Sequence, residues 1–126
     1  MGVLAFQHVN TRSADLERTK EFYLRLGLRA GDRPPFPSRG YWLYLGDVPV
    51  LHLVQRPDGQ PHHEGSGNVD HIAFAAHDPG AVRRLLAEAG LPFRQAVVPR
   101  DGTVQIFVKD PDGITVELNF PPEAGS

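Results

Sequence analysis

The chain has 126 residues, of which 40% are hydrophobic, 22% charged and 9% aromatic, the profile of one ordinary soluble domain. Thirteen Lys and Arg against fifteen Asp and Glu leave a formal charge of -2, with no basic stripe to meet a phosphate backbone, so nucleic acid is excluded as a partner. No run reaches the roughly 18 apolar residues of a membrane span, and no charged-then-apolar leader opens the chain, so a cytoplasmic protein with no membrane partner is expected. The sequence contains no cysteine, which leaves any metal to His and carboxylates.

In chain order, alternating residues predict a first strand over about 3–10. Asp15 then caps a helix whose apolar stripe is Leu16, Phe22, Tyr23 and Leu26, and Gly27 ends it. Strands follow over about 28–32, 40–46 and 48–55, the last two joined by Gly46-Asp47. Pro34-Pro35-Phe36-Pro37 interrupts them as a loop, because prolines remove ladder donors. Residues 56–68, rich in Pro, Gly, His and Gln, read as a mobile linker containing His62 and His63, which receive no role. Beyond it a strand over about 69–77 leads to Asp78-Pro79, the start of a second helix with Ala81, Val82, Leu85, Leu86 and Ala89 on its stripe and Gly90 at its end. Three more strands are expected over about 93–98, 103–109 and 114–120, with the turn Asp110-Pro111-Asp112-Gly113 between the last two.

The chain therefore repeats itself. His8-Val9 and His71-Ile72 are each followed by an Asp seven residues after the His (Asp15, Asp78), then by Gly-Leu at offsets nineteen and twenty (Gly27-Leu28, Gly90-Leu91). The expected architecture is α+β: two tandem βαβββ modules forming a cupped, mostly antiparallel sheet with helices on the convex face. Residues 1–126 form one domain, module one spanning about 3–55 and module two about 69–121.

Strand alternation sorts side chains by face. Ile72, Phe74 and Ala76 oppose His71; Val116, Leu118 and Phe120 oppose Glu117; Leu51 and Leu53 oppose His52. His8 to His52 is 44 residues and His71 to Glu117 is 46, so each module offers a first-strand and last-strand pair. A lone inward His is more often a hydrogen-bonded core residue than a ligand. Placement of all four at equivalent positions instead points to a divalent metal site built from His8, His52, His71 and Glu117, with Fe, Ni, Zn, Co or Mn as the candidates for imidazole and carboxylate donors. Trp42, Tyr44 and Phe36 are candidate pocket residues, and Arg12, four residues after His8, is placed to meet an anionic substrate.

These motifs, together with Phe22-Tyr23-Leu24-Arg25-Leu26-Gly27-Leu28, Asp70-His71-Ile72-Ala73-Phe74 and Gly113-Ile114-Thr115-Val116-Glu117-Leu118, make the chain similar to the vicinal oxygen chelate superfamily. That superfamily includes glyoxalase I, extradiol dioxygenases and the fosfomycin and bleomycin resistance proteins. The resemblance implies ligand roles for His8, His71 and Glu117, a homodimer, and chelation of vicinal oxygens by the metal. His52 falls where glyoxalase I has a further carboxylate ligand, and Arg12 where that enzyme has a glutathione-contacting Arg.

Departures prune the other members. Extradiol dioxygenases place a catalytic Tyr ten residues before the ligand Glu, where this chain has Phe107, and Val98 stands near the place of their second His. Asp101 to Gln105 supplies no Ser of the kind fosfomycin-modifying enzymes use for potassium. Bleomycin-type binders generally lack the ligand set. The expectation is a glyoxalase I-like lyase or isomerase acting on a small substrate through an enediolate-type intermediate, with Glu117 as the catalytic proton shuttle. The alternatives are an Fe(II) catechol dioxygenase and a non-catalytic drug-binding protein.

Overall fold

In the computed structural model, which describes residues 2–58, 60 and 63–123, the elements follow the order β-α-β-β-β twice. The first set is β1 (Val9–Ser13), α1 (Leu16–Arg25), β2 (Arg29–Gly31), β3 (Gly40–Leu45) and β4 (Val48–Gln55). The second is β5 (Ile72–Ala75), α2 (Pro79–Glu88), β6 (Phe93–Val97), β7 (Val104–Lys109) and β8 (Thr115–Phe120). Two compact units result, residues 1–62 and 63–126, divided within the stretch 56–68. Among the described residues no helix is long and apolar enough to cross a membrane.

Both helices start and stop by the same local chemistry. Asp15 and Asp78 accept from the backbone N–H three residues on, Arg18 and Ala81, each at 3.1 Å. Asp78 does so from a left-handed backbone (φ 59), ahead of a proline that needs no helical partner for a missing N–H. At the other end Gly27 (φ 111) and Gly90 (φ 70) turn the chain. Leu28 N–H reaches Tyr23 O at 3.1 Å and Leu91 N–H reaches Leu86 O at 2.9 Å, closing each helix with a pair of reversed bonds.

Each unit holds a four-stranded sheet, ordered β1-β4-β3-β2 in the first and β5-β8-β7-β6 in the second, antiparallel except for the parallel pairs β1·β4 and β5·β8. In the first unit Leu43, Leu51 and Leu53 are buried, as are Leu16, Phe22 and Tyr23 of α1. In the second, Val104, Ile106, Val108, Val116, Leu118 and Phe120 supply the buried set with Leu86. Each such side chain contributes about 1.5–3 kcal/mol by leaving water. The expected α2 stripe is narrower than drawn from sequence: only Leu86 is fully buried, and Ala81, Val82, Leu85 and Ala89 are half-buried.

The first strand departs most from its sequence reading. It begins at Val9 rather than near residue 3, and Val3, Leu4 and Phe6 are exposed. Continuing the register Val9↔Leu51 backwards sets Gln7 against Pro49, which has no N–H for the ladder. The 56–68 stretch carries neither helix nor strand among its described residues, yet its far end is tied, Gly65 N–H donating to Asp112 O at 3.0 Å. His62 lies outside the described residues.

Candidate functional site

Register places the candidate donors in two matching rows. In the first unit β2, β3, β4 and β1 align Gly31, Trp42, His52 and Asn10. In the second, β6, β7, β8 and β5 align Arg94, Phe107, Glu117 and Ala73. His52 and Glu117 thus each stand opposite the residue two positions beyond a histidine that immediately precedes its strand, His8 or His71.

In the first unit the row becomes a stack of rings. The His8 and His52 centroids are 3.8 Å apart with planes at 14°, and Trp42 lies 4.1 Å from His52 on β3 with planes at 10°. Phe36 tilts against Trp42 at 6.3 Å. Carbonyl oxygens only accept, so the 3.1 Å contact from His52 Nε2 to Pro49 O puts the ring proton on Nε2 and leaves Nδ1 with its lone pair. His8 Nδ1 donates in the same sense to Gln7 Oε1 at 2.9 Å and leaves Nε2. Burial first, and then the neighbouring His8, hold His52 below the usual histidine range; its bond to Pro49 pulls the other way, and Arg33 adds the smallest push downward. A neutral imidazole is the form that binds a metal.

These rings line an open cleft of about 440 Å³. Trp42 and Phe36, two of the residues expected at a pocket, are in its wall with His8 and His52. Tyr44 and Arg12 are not in that wall. Tyr44 lies under Arg29 and donates its hydroxyl to Asp32 O at 2.6 Å, and Arg12 is exposed on β1 opposite Val54. Arg33, Gln7, Asn10 and Ser38 line the cleft without having been singled out from sequence. Arg33 gave no signal because its place depends on the path of the proline-rich loop.

In the second unit His71 and Glu117 face each other, Nε2 to Oε1 at 3.2 Å. Asp70 Oδ2 accepts from His71 Nδ1 at 2.9 Å, and Asn119 Nδ2 donates to Glu117 Oε2 at 2.7 Å. The Asp70 bond, more than the charge of Glu117, raises His71 above the usual histidine range. A carboxylate on one ring nitrogen that aims the other at a site is the usual support of a metal-bound histidine. Asp70 and Asn119 are the supporting residues that sequence reasoning passed over, although each lies within two residues of a proposed ligand. Phe107 stands directly across from Glu117.

The donor types fit a divalent ion: the lone pairs left on His8 and His52, the His71 imidazole, and a carboxylate already positioned by an amide. Among the described residues no group of three His, Asp or Glu side chains is placed to hold a metal ion.

Known proteins share this fold. The family described as the Glyoxalase/Bleomycin resistance protein/Dioxygenase superfamily matches residues 5–118. A lactoylglutathione lyase of Neisseria meningitidis serogroup A is 31% identical over 120 residues, covering 88% of this chain and 86% of that protein. Lactoylglutathione lyase GLX1 of Arabidopsis thaliana is 34% identical over 122 residues, but the chain spans only 43% of its length against 90% of its own. A solved glyoxalase/dioxygenase from Nostoc punctiforme superposes with a TM-score of 0.77 at 20% identity, covering 98% of this chain and 99% of that one, and so shares the fold. With its doubled βαβββ pattern and its paired histidine and carboxylate positions, the chain belongs to the glyoxalase/bleomycin resistance protein/dioxygenase superfamily.

Proposed function

We propose that the protein is a divalent-metal-dependent lyase or isomerase of the glyoxalase I kind, acting on a small substrate with vicinal oxygens. His8, His52, His71 and Glu117 would hold the ion, the two pairs coming from one chain or from two copies in a homodimer. The observation that carries the reading is the His71–Glu117 pair, with Asp70 fixing the imidazole and Asn119 the carboxylate. The chemistry such an ion supplies is polarisation of a carbonyl, which acidifies the neighbouring carbon.

Glu117 is then the base. Its carboxylate takes the proton from carbon and returns it to the adjacent carbon while the hydroxyl proton passes from the first oxygen to the second, so Glu117 begins and ends ionised and the isomerisation consumes no other reactant. Its side chain is mostly buried, which keeps water from competing for that proton. Asn119 holds one carboxylate oxygen, and the other faces His71 Nε2.

Phe107 argues against catechol cleavage, because the side chain opposite Glu117 has no hydroxyl to relay a proton. The aromatic wall of Trp42 and Phe36 supports a second reading, a pocket that sequesters a planar compound without chemistry. Elemental mass spectrometry on protein purified without chelator, together with turnover of the methylglyoxal–glutathione hemithioacetal, tests both. Near-stoichiometric Fe, Ni, Zn, Co or Mn, lost in His71→Ala, and turnover lost in Glu117→Gln with metal retained, are expected. No metal bound or taken up on reconstitution would leave the binding reading. Glu117→Gln with full metal and full turnover would remove Glu117 from the proton path.

A further inference from the structure

Arg33 is the one half-buried cation in the wall of the first unit's cleft, and the wall contains no Asp or Glu. Lys20 and Arg39 meet Glu17, and Arg83 meets Glu123, whereas Arg29 and Arg56 donate to backbone carbonyls outside the cleft. Arg33 has no carboxylate within ion-pair distance among the described residues. Its partners are neutral. Nη1 donates to Ser38 O at 2.9 Å and Nη2 to Ser38 Oγ at 3.1 Å, while the guanidinium lies 5.2 Å from the centre of the Phe36 ring.

The guanidinium is held by its neighbours. It lies against Gly40, where a Cβ would stand 2.9 Å from Nη2 and 3.0 Å from Cζ after first meeting Leu53 O at 2.3 Å. Ser38 and Phe36 fix its rotamer, so a ligand need not order it. A guanidinium has five N–H donors; two are spent on Ser38 and Nε is buried, which leaves one on each Nη for a ligand. A cation partly withdrawn from water and left without a counter-charge favours a ligand that brings one. The cleft's volume of about 440 Å³ suits a small molecule, and its aromatic wall of Phe36 and Trp42 suits one with a planar ring.

We propose that Arg33 is a specificity-determining residue that binds the carboxylate of a small planar organic acid in this cleft, beside His8 and His52. The inference rests on the preceding proposal in treating the bound acid as a substrate, but binding itself is read separately from metal.

The chain has a single tryptophan, Trp42, stacked on His52 in the wall, so its emission reports occupancy. The probes are benzoylformate, a planar acid with vicinal oxygens, and its uncharged methyl ester, titrated into chelator-treated and metal-loaded protein. Expected is saturable quenching by the acid at about tenfold or more lower concentration than by the ester, the size of one charge-assisted hydrogen bond, in both preparations. Arg33→Met abolishes that preference and Arg33→Lys restores part of it, with melting curves confirming that both fold. Equal binding of acid and ester, binding of neither, a preference that survives Arg33→Met, or one present only in metal-loaded protein would overturn the assignment. The acid–ester comparison needs no variant, and a protein that holds no metal but prefers the acid would sink the metalloenzyme reading alone.

Discussion

His52 and Glu117 occupy the same register position in their respective sheets, each across a parallel strand from the residue two beyond a histidine. A site built on this equivalence tolerates exchange of donor type there better than loss of the donor. His52→Glu is expected to retain bound metal and His52→Ala to lose affinity, as measured by competition with a chromophoric chelator.

Asp70→Asn tests the support of His71. The carboxylate that accepts from Nδ1 becomes a neutral amide, and metal affinity is expected to fall about 10–100-fold with the ligand set intact. His71 also has a raised pKa, so its contribution to stability is present in full below the ordinary histidine value of 6.5 and is lost as pH rises through the folded value. The stability difference between wild type and Asp70→Asn, in metal-free protein, is therefore expected to shrink as the pH is raised, which urea melts across neutral pH measure.

His52 has the opposite sign. Its pKa is lowered, chiefly by burial and then by His8, so its contribution is present above the ordinary value of 6.5 and is lost as pH falls through the folded value. Protonation beside Trp42 quenches indole emission. A fluorescence titration of metal-free protein is expected to show a midpoint below 6.5 that His52→Gln removes.

Gly40→Ala is expected to destabilise by about 1–3 kcal/mol, the cost of overpacking. The added Cβ would meet Leu53 O at 2.3 Å, and a backbone oxygen in a sheet cannot step aside as a side chain does. Leu51→Ala, at a fully buried position of β4, is expected to cost about 2–5 kcal/mol by cavity formation. Urea midpoints that fall with an unchanged m-value check both.

Helices were legible because their signals are local. Asp15 and Asp78 cap from three residues away, and Gly27 and Gly90 supply the positive φ that ends each helix. Strand interiors were legible too, β4 matching the expected 48–55 throughout, because Gly46 and the first arginine past the strand bracket an alternating run. The start of β1 was not, since what stops it is Pro49 on another strand.

By itself the sequence determined the doubled module, the helix ends and the residue types at the repeated positions, all of which follow from offsets of two, three or four residues and from one repeat of 63. Only the tertiary structure decided that His52 is held between His8 and Trp42, that Asp70 and Asn119 orient His71 and Glu117, and that Arg33 enters the cleft while Tyr44 stays out. Those outcomes depend on which strands pair, in which register, and on where a proline-rich loop returns. Contacts of that kind are fixed by packing between residues distant in the chain, and local periodicity carries no record of them.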